Sequence, residues 1–292
     1  MNLNLWGTGV AMVTPFNKDG AVDFPALKKL TNHLIDNDID YLVVMGTTGE
    51  SATLSKQEKE EIHATVKAEN QGKLTYVAGL GGNNTAELVQ EFKKFNYDGV
   101  DAILSVSPYY NKPSQAGIIQ HYTALADASK KPIILYNVPG RTGSNMTAET
   151  TLKLAEHPNI AGMKEASANF EQIMEIMRNK PEGFNVVSGD DALTLPLLGI
   201  GLDGVISVIA NAYPKRFSEL VKEGLSGNFI ASRLCHYELL PIMQAIFDDG
   251  NPGGIKEVLE YLGICEKTVR LPLANVNEQT KTKLLSLAKK IK

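Results

Sequence analysis

Short runs of apolar and β-branched residues alternate along the chain with longer segments whose apolar positions recur at helical spacing. Several of the runs, such as YLVVM and PIILY, are continuous, which is typical of parallel strands buried on both faces. The pattern predicts eight strands, at residues 9–14, 41–45, 74–79, 102–106, 133–136, 160–164, 185–188 and 204–208.

The segments between the strands have the spacing of amphipathic helices. Residues 24–35 place Leu27, Leu30 and Leu34 on one stripe. Ser55 opens another helix and is followed three residues later by Glu58, the pattern of a capping box. Further helices are predicted at residues 86–95, 115–129, 148–156, 169–177 and 192–198.

Strand followed by helix, about eight times, indicates an α/β protein with a (β/α)8 TIM barrel. A doubly wound open sheet, the alternative, would need fewer units and an interruption at its switch point. Strand signals stop near Leu225, and helices alone are predicted at 230–247, 255–262 and 278–291, with a breaker at 249–254. The expected organisation is therefore a barrel at 1–224 that carries the active site, and a C-terminal helical region at 225–292.

Composition excludes several classes of partner and location. The formal net charge of −4 provides no basic field for nucleic acid or an anionic membrane. Cys235 and Cys265 are far apart, and the N-terminus lacks the pattern of a signal peptide. The most apolar long window, residues 193–213, is broken by glycines and Asp203, so no spanning helix is predicted. A cytoplasmic protein is expected.

Two reactive side chains end predicted strands, which is where barrel enzymes carry their catalytic residues. Lys164 ends the sixth strand, and burial there would lower its pKa and supply a free amine to attack a ketone. Tyr136 closes the fifth strand and is predicted to point into the barrel mouth. From the strand alone, a lysine that extends to solvent is the simpler explanation of position 164.

Other strand ends carry groups that suit an anion. In residues 46–50 (GTTGE), closely spaced backbone N–H groups and hydroxyls suit a carboxylate, and Arg141 follows in a Pro-Gly turn after the fifth strand. Tyr109 and Tyr110, held between prolines, are candidates for proton relay. Gly189 leaves room near the barrel axis. Taken singly, these residues are also explained by ordinary turns, a surface charge and aromatic packing.

Several familiar motifs are incomplete. Residues 79–82 (GLGG) follow a strand, but the third glycine of a nucleotide-binding fingerprint would fall at Asn84. The five histidines have no metal-ligand spacing, so neither a metal site nor a zinc-dependent aldolase is predicted. No GxSxG sequence supports a serine hydrolase.

The strand-end motifs occur in a fixed order: GTTGE at 46–50, SPYYNKP at 107–113, YNVPGRTG at 136–143, MKEAS at 163–167, SGDD at 188–191, GVIS at 204–207 and RLPL at 270–273. Over essentially the whole chain they resemble the dihydrodipicolinate synthase family, part of the N-acetylneuraminate lyase superfamily of pyruvate aldolases. YNVPGRTG is the most specific, because related sialic-acid and keto-sugar aldolases lack an arginine at the position of Arg141.

The resemblance implies a lyase of the class I aldolase type that condenses pyruvate with aspartate 4-semialdehyde, on the diaminopimelate route to lysine. It implies that Lys164 forms the Schiff base, so that this covalent imine replaces any cofactor. Tyr136 would donate and accept protons, and Thr47 would complete a relay with Tyr110 of a neighbouring subunit.

The resemblance also implies the residues that bind the substrates. Thr48 would hold the pyruvate carboxylate through its hydroxyl and backbone N–H, and Arg141 would take the carboxylate of the semialdehyde. Gly189 and the backbone carbonyl of Ile206 would line the pocket.

Assembly and regulation follow from the same resemblance. The family is usually a homotetramer built from dimers, and many members bind lysine as an inhibitor at the dimer interface. The positions that match this site are Ser51, Ala52, Lys56, Lys59, Asn83, Glu87 and Tyr109. Strongly inhibited members have a histidine pair where this chain has Lys56 and Lys59, so lysine inhibition is expected to be weak or absent. A second departure is Gly253-Gly254, where the family more often has a second proline.

Two alternatives remain at this point. A sister aldolase for N-acetylneuraminate or a 2-keto-3-deoxy acid would share Lys164 and Tyr136, and only Arg141 argues against it. A catalytically silent barrel that senses pyruvate or lysine would not need Lys164, Tyr136, Thr47 and Tyr110 together.

Overall fold

The strands of the computed structural model, which describes residues 3–291, form a closed parallel barrel. Each strand pairs with the next along the chain, and the eighth pairs with the first. The strands are β1 (Gly7–Ala11), β2 (Tyr41–Val44), β3 (Thr75–Gly79), β4 (Ala102–Val106), β5 (Ile133–Asn137), β6 (Ile160–Glu165), β7 (Asn185–Ser188) and β8 (Gly204–Ser207). The predicted (β/α)8 TIM barrel is confirmed.

Helices surround the barrel and continue beyond it. They are α1 (Phe24–Ile35), α2 (Lys56–Asn70), α3 (Thr85–Lys94), α4 (Gln115–Ala128), α5 (Pro139–Thr142), α6 (Ala148–Ala155), α7 (Phe170–Asn179), α8 (Thr194–Gly199), α9 (Pro214–Leu225), α10 (Phe229–Ala245), α11 (Gly253–Tyr261) and α12 (Glu278–Ala288). The capping box at Ser55 and Glu58 is present, with both reciprocal hydrogen bonds formed. Between residues 3 and 291, no helix has the length and apolar character needed to cross a bilayer.

The barrel interior is filled from its amino end. Leu5, Tyr41, Val77 and Ile134 are buried in one inner cluster that reaches as far as Tyr136. The Tyr41 hydroxyl donates to the carbonyl of Val205 at 2.9 Å across the interior. A closed lower barrel leaves the carboxyl ends of the strands as the place for a site.

The position of β1 differs from the prediction of residues 9–14. The strand begins at Gly7, which pairs with Gly204, and ends at Ala11. Beyond it, the side chain of Asn211 replaces a neighbouring strand, because Nδ2 donates to the Ala11 carbonyl at 2.9 Å and Oδ1 accepts from the Val13 amide at 3.1 Å. An asparagine distant in sequence therefore ends the strand.

Two features of the C-terminal region differ from expectation. Helix α9 was not predicted, although Phe217, Leu220 and Val221 bury one face of it. The predicted breaker at 249–254 runs into α11, whose first residues are Gly253 and Gly254. A β-carbon on Gly254 would lie 2.1 Å from the carbonyl oxygen of Ile246, so the absence of a side chain at residue 254 allows two backbones to pack closely.

Helices α10 to α12 continue the apolar core that lies between the strands and the outer helices. Leu239 and Ile242 of α10, Val258 of α11 and Leu284 of α12 belong to the same buried cluster as barrel residues such as Val10. The division of the chain at residues 224 and 225 stays a prediction.

Candidate active site

Lys164 and Tyr136 lie side by side at the carboxyl end of the barrel. They are register partners on β6 and β5. Both are buried, with 5% of Lys164 and 7% of Tyr136 exposed. The Nζ atom of Lys164 lies 4.4 Å from the centre of the Tyr136 ring. Lys164 therefore lies inside the barrel mouth next to the phenol, and the alternative of a lysine extended into solvent is excluded.

Gly189 provides the space that the Lys164 side chain occupies. A β-carbon on residue 189 would lie 3.0 Å from Cε of Lys164 and 2.7 Å from the β-carbon of Ala166. The backbone N–H of Gly189 donates to the carbonyl of Glu165 at 2.7 Å, which holds the chain at this close distance. The structure thus places Gly189 beside Lys164, and the predicted role of this glycine in lining a ligand pocket stays a prediction.

The turn after β2 forms a tight 3-10 helix, Thr47–Gly49. Thr47 is exposed, whereas the side chain of Thr48 is buried. The Thr48 hydroxyl accepts a hydrogen bond from Nδ2 of Asn251 at 2.9 Å, and the Thr14 hydroxyl donates to the Gly49 carbonyl at 2.6 Å. Two side chains from distant parts of the chain therefore fix a turn whose hydroxyls and N–H groups suit a carboxylate.

Glu50, which ends this turn, anchors it to the C-terminal region. Its Oε1 lies 2.6 Å from Nζ of Lys256, and neither side chain is exposed. Its Oε2 accepts from the backbone N–H of Arg270 at 2.9 Å. The Lys256 ammonium and the Arg270 guanidinium also lie over the Phe16 ring, at 4.1 and 4.4 Å from its centre. Removing one partner of a buried ion pair strongly destabilises a protein, because the other charge is left buried and unpaired. The turn therefore depends on α11, which carries Lys256.

The carboxyl end of β8 is held by a buried carboxylate. Oδ2 of Asp191 accepts from the N–H groups of Val208 and Ile209, at 3.0 and 2.8 Å. Burial raises the pKa of Asp191 to about 6, and the hydrogen bonds from Ile209, Ser207 and Val208 oppose this shift. These contacts fix the backbone directly after Ile206, which is itself buried in β8.

Arg141 and Tyr110 extend from the loops above β5 and β4. Arg141 is exposed, and it lies in the one-turn helix α5 rather than in the simple Pro-Gly turn that was expected. Tyr110 is 88% exposed in the single chain and has a φ of 73°, a left-handed conformation that is uncommon outside glycine. Its N–H is 3.4 Å from the carbonyl of Thr142, so the two loops touch.

The residues that match the lysine site follow β2, β3 and β4. Nδ2 of Asn83 donates to the Tyr109 carbonyl at 3.1 Å, so these two are adjacent. Ser51 and Ala52 lie in the 3-10 turn Ser51–Thr53, and Glu87 is exposed in the first turn of α3.

Lys56 and Lys59 lie in the first turn of α2. Lys56 is exposed, with Nζ 3.8 Å from a carboxylate oxygen of Glu60, and Lys59 is half-buried. Both lysines thus lie on the first turn of the helix that follows Ser51 and Ala52 in the chain.

Two side chains that fix the turn after β2, those of Asn251 and Thr14, were not predicted from the sequence. Asn251 holds Thr48 from 203 residues away, and its Oδ1 is buried without a hydrogen-bond partner in the described part of the chain. Residues 251–254 (NPGG) were predicted to form a breaker, and nothing local in them indicates the contact with Thr48. Between residues 3 and 291, no cluster of histidine, cysteine, aspartate or glutamate could hold a metal ion.

A buried lysine beside a tyrosine, at the carboxyl end of a (β/α)8 barrel, is the arrangement of a lyase of the class I aldolase type. The chain belongs to the dihydrodipicolinate synthetase family, whose profile matches residues 4–291. The resemblance seen in the sequence is confirmed.

Individual relatives cover nearly all of the chain. The 4-hydroxy-tetrahydrodipicolinate synthase of Flavobacterium psychrophilum is 52% identical over 279 residues, which are 95% of each chain. The crystal structure of dihydrodipicolinate synthase from Aquifex aeolicus has 40% identity and a TM-score of 0.94, with 98% of each chain covered. The chloride-inhibited enzyme from Acinetobacter baumannii, solved in complex with pyruvate, has 36% identity and a TM-score of 0.95, with 98% of this chain and 99% of that one covered.

Proposed function

We propose that the protein condenses pyruvate with L-aspartate 4-semialdehyde to give 4-hydroxy-tetrahydrodipicolinate, on the diaminopimelate route to lysine. The observation that carries the proposal is the buried Lys164 amine, 4.4 Å from the centre of the Tyr136 ring at the mouth of the barrel. The names of the relatives and the pyruvate bound in the Acinetobacter baumannii enzyme support the same substrates.

The reaction begins at the Lys164 amine, because only the uncharged form of an amine attacks a ketone. Its nitrogen attacks the ketone carbon of pyruvate, water leaves, and a protonated imine forms. The imine withdraws electrons, so a proton is lost from the methyl carbon and an enamine results. The enamine carbon then attacks the aldehyde carbon. Finally the amino group of the semialdehyde displaces Lys164 as the ring closes. The imine serves as the electron sink, so the proposal includes no metal and no cofactor.

Tyr136 moves the protons in these steps. A free phenol has a pKa near 10, so it needs a hydrogen-bonded relay to act at neutral pH. We assign the relay to Thr47 and to Tyr110 of a neighbouring subunit. The exposure of Tyr110 in the single chain is consistent with a side chain that reaches across an interface.

Four positions bind the substrates in this proposal. Thr48 and its N–H hold the pyruvate carboxylate, and Arg141 takes the carboxylate of the semialdehyde. Gly189 and the carbonyl of Ile206 line the pocket. The support is their common location at the carboxyl ends of β2, β5, β7 and β8.

The proposal includes a homotetramer in the cytoplasm. A relay that contains Tyr110 of a neighbouring subunit needs at least a dimer. It also includes a lysine site at Ser51, Ala52, Lys56, Lys59, Asn83, Glu87 and Tyr109 that binds lysine weakly or not at all.

Trapping with borohydride tests the chemistry directly. The enzyme is incubated with pyruvate, reduced, digested and examined by mass spectrometry. A reduced pyruvyl adduct on Lys164 is expected in the wild type, and no adduct at this position in Lys164→Ala. A wild-type protein without an adduct would contradict catalysis and support a barrel that only senses its ligand. Turnover of sugar acids in place of the semialdehyde would favour the sister aldolase.

A further inference from the structure

Glu165, the residue after Lys164, is buried behind the sheet. Neighbouring residues of a strand point to opposite faces, so Glu165 points away from the barrel interior. Only 1% of it is exposed. Its carboxylate accepts from Nδ2 of Asn137 at 3.1 and 3.3 Å, from the N–H of Ser167 at 2.5 Å, and from Nε2 of Gln172 at 3.4 Å.

The contact between Glu165 and Asn137 lies directly behind the pair that the proposed function uses. Tyr136 is the register partner of Lys164, and Asn137 is the register partner of Glu165. The first pair occupies the inner face of β5 and β6, and the second pair occupies the outer face. Any change in the spacing of the outer pair is therefore transmitted to the inner pair through two adjacent backbones.

Further hydrogen bonds tie this outer pair to the loop before α6 and to α7. Oδ1 of Asn145 accepts from Nδ2 of Asn137 at 2.8 Å, and its Nδ2 donates to Oε1 of Gln172 at 2.7 Å. Oδ1 of Asn137 accepts from the N–H of Met146 at 3.0 Å. The amides are thus held at both ends, so each has one orientation.

A carboxylate at the centre of this cluster costs stability. Burial raises the pKa of Glu165, and the hydrogen bonds from Ser167, Asn137 and Gln172 offset part of that effect. Among residues 3–291, no lysine, arginine or histidine forms a salt bridge with it. An ionised carboxylate only accepts hydrogen bonds, so each neighbour must present a donor to it. A glutamine or an apolar residue at position 165 would not impose this orientation on its neighbours.

We infer that Glu165 is a positioning residue: it sets the placement of Tyr136 relative to Lys164, and thereby controls proton transfer at the pyruvyl methyl group but not imine formation. This inference rests on the proposed function. Two readouts separate the two steps. Borohydride trapping measures the imine, and deuterium uptake into the methyl group of pyruvate in D2O, followed by NMR without aldehyde, measures proton transfer.

Glu165→Gln is the test variant, because it keeps the shape but replaces one acceptor oxygen with an NH2 donor that faces other donors. Deuterium uptake is expected to fall about tenfold to a hundredfold, since small misplacements of reacting groups have effects of this size. The amount of trapped imine is expected to remain within about twofold of the wild type. This change is much smaller than the expected fall in the rate of deuterium uptake. Glu257→Gln is the matched control, because Glu257 is also buried but lies on α11, with its carboxylate 3.7 Å from Lys267. It should leave deuterium uptake unchanged.

Deuterium uptake that is as fast in Glu165→Gln as in Glu257→Gln would overturn the inference, and so would a parallel loss of imine. If Glu165→Gln does not fold, Asn145→Ala decides, because it removes one half-buried arm of the same cluster. It should slow deuterium uptake at least about fivefold, because Asn145 loses its side-chain hydrogen bonds with Asn137 and Gln172, and an unchanged rate would overturn the inference. A wild type without an adduct would overturn the proposed function as well.

Discussion

The backbone of Gly189 passes so close to Lys164 that a β-carbon on residue 189 would lie 3.0 Å from Cε of the lysine. The path of the lysine side chain is therefore set by the absence of a side chain directly after the next strand, β7. A glycine after the seventh strand is as much a part of the site as the amine itself.

Gly189→Ala is expected to reduce turnover by at least about tenfold, because the methyl group forces Lys164 or Ala166 to move and reacting groups tolerate little displacement. Overpacking of this kind also costs about 1–3 kcal/mol of stability. Steady-state kinetics, borohydride trapping and thermal unfolding measure these effects. Gly82→Ala is the control, since a β-carbon there meets nothing within 4 Å. Normal turnover in Gly189→Ala would contradict the assigned role of the glycine.

Arg141→Ala is expected to spare the pyruvate imine and to reduce kcat/KM for the semialdehyde about tenfold to a hundredfold, the effect of about 1.5–3 kcal/mol for a hydrogen bond to a charged group. Trapping and coupled turnover assays separate the two effects. Arg178→Ala provides an exposed arginine on α7 as the control. Equal loss of imine and turnover in Arg141→Ala would show that Arg141 does not act on the semialdehyde.

Lysine is expected to inhibit the purified enzyme weakly or not at all, because its cationic side chain would approach Lys56 and Lys59 at the start of α2. The double variant Lys56→His/Lys59→His should gain affinity for lysine, measured by calorimetry and by inhibition of turnover. Lys93→His/Lys94→His, an exposed pair at the end of α3, is the control. Ordinary inhibition of the wild type by lysine would refute this expectation.

The pH dependence of stability should contain a contribution from Asp191. Burial raises its pKa in the folded protein to about 6, above the ordinary aspartate value of 3.8. The folded state therefore disfavours the ionised form, and stability falls as the pH rises from about 4 to about 6. Asp191→Asn can still accept the Val208 and Ile209 hydrogen bonds but does not titrate. The difference in free energy of unfolding, Asp191→Asn minus wild type, should therefore rise by about 2–3 kcal/mol as the pH increases from 4 to 7. Urea unfolding across this range measures the difference, and a difference independent of pH would contradict the assignment.

Much of the barrel could be predicted because strands buried on both faces are continuous apolar runs. The ends of β4 and β7 fall where the sequence placed them. The proximity of Lys164 and Tyr136 follows once two neighbouring strands both end in reactive residues, since parallel neighbours bring their carboxyl ends together.

Other parts of the fold and site depend on residues that are distant in sequence. The end of β1 is set by Asn211, and the turn that holds Thr48 is fixed by Asn251. No local pattern at either position indicates its partner. Helix α9 has an apolar face of its own, and it lies between the last predicted strand and the helices predicted from residue 230 onward. The roles of Thr47, Tyr110 and the other binding residues stay predictions.

The contacts of Thr48 with Asn251 and of Glu50 with Lys256 join residues that are 203 and 206 positions apart. During synthesis, the barrel strands leave the ribosome well before the residues that complete the turn after β2. A nascent or prematurely terminated chain would then expose an amine without its finished carboxylate pocket. Catalytic competence would be acquired only near the end of translation, so incomplete polypeptides would have little capacity to consume ketoacids.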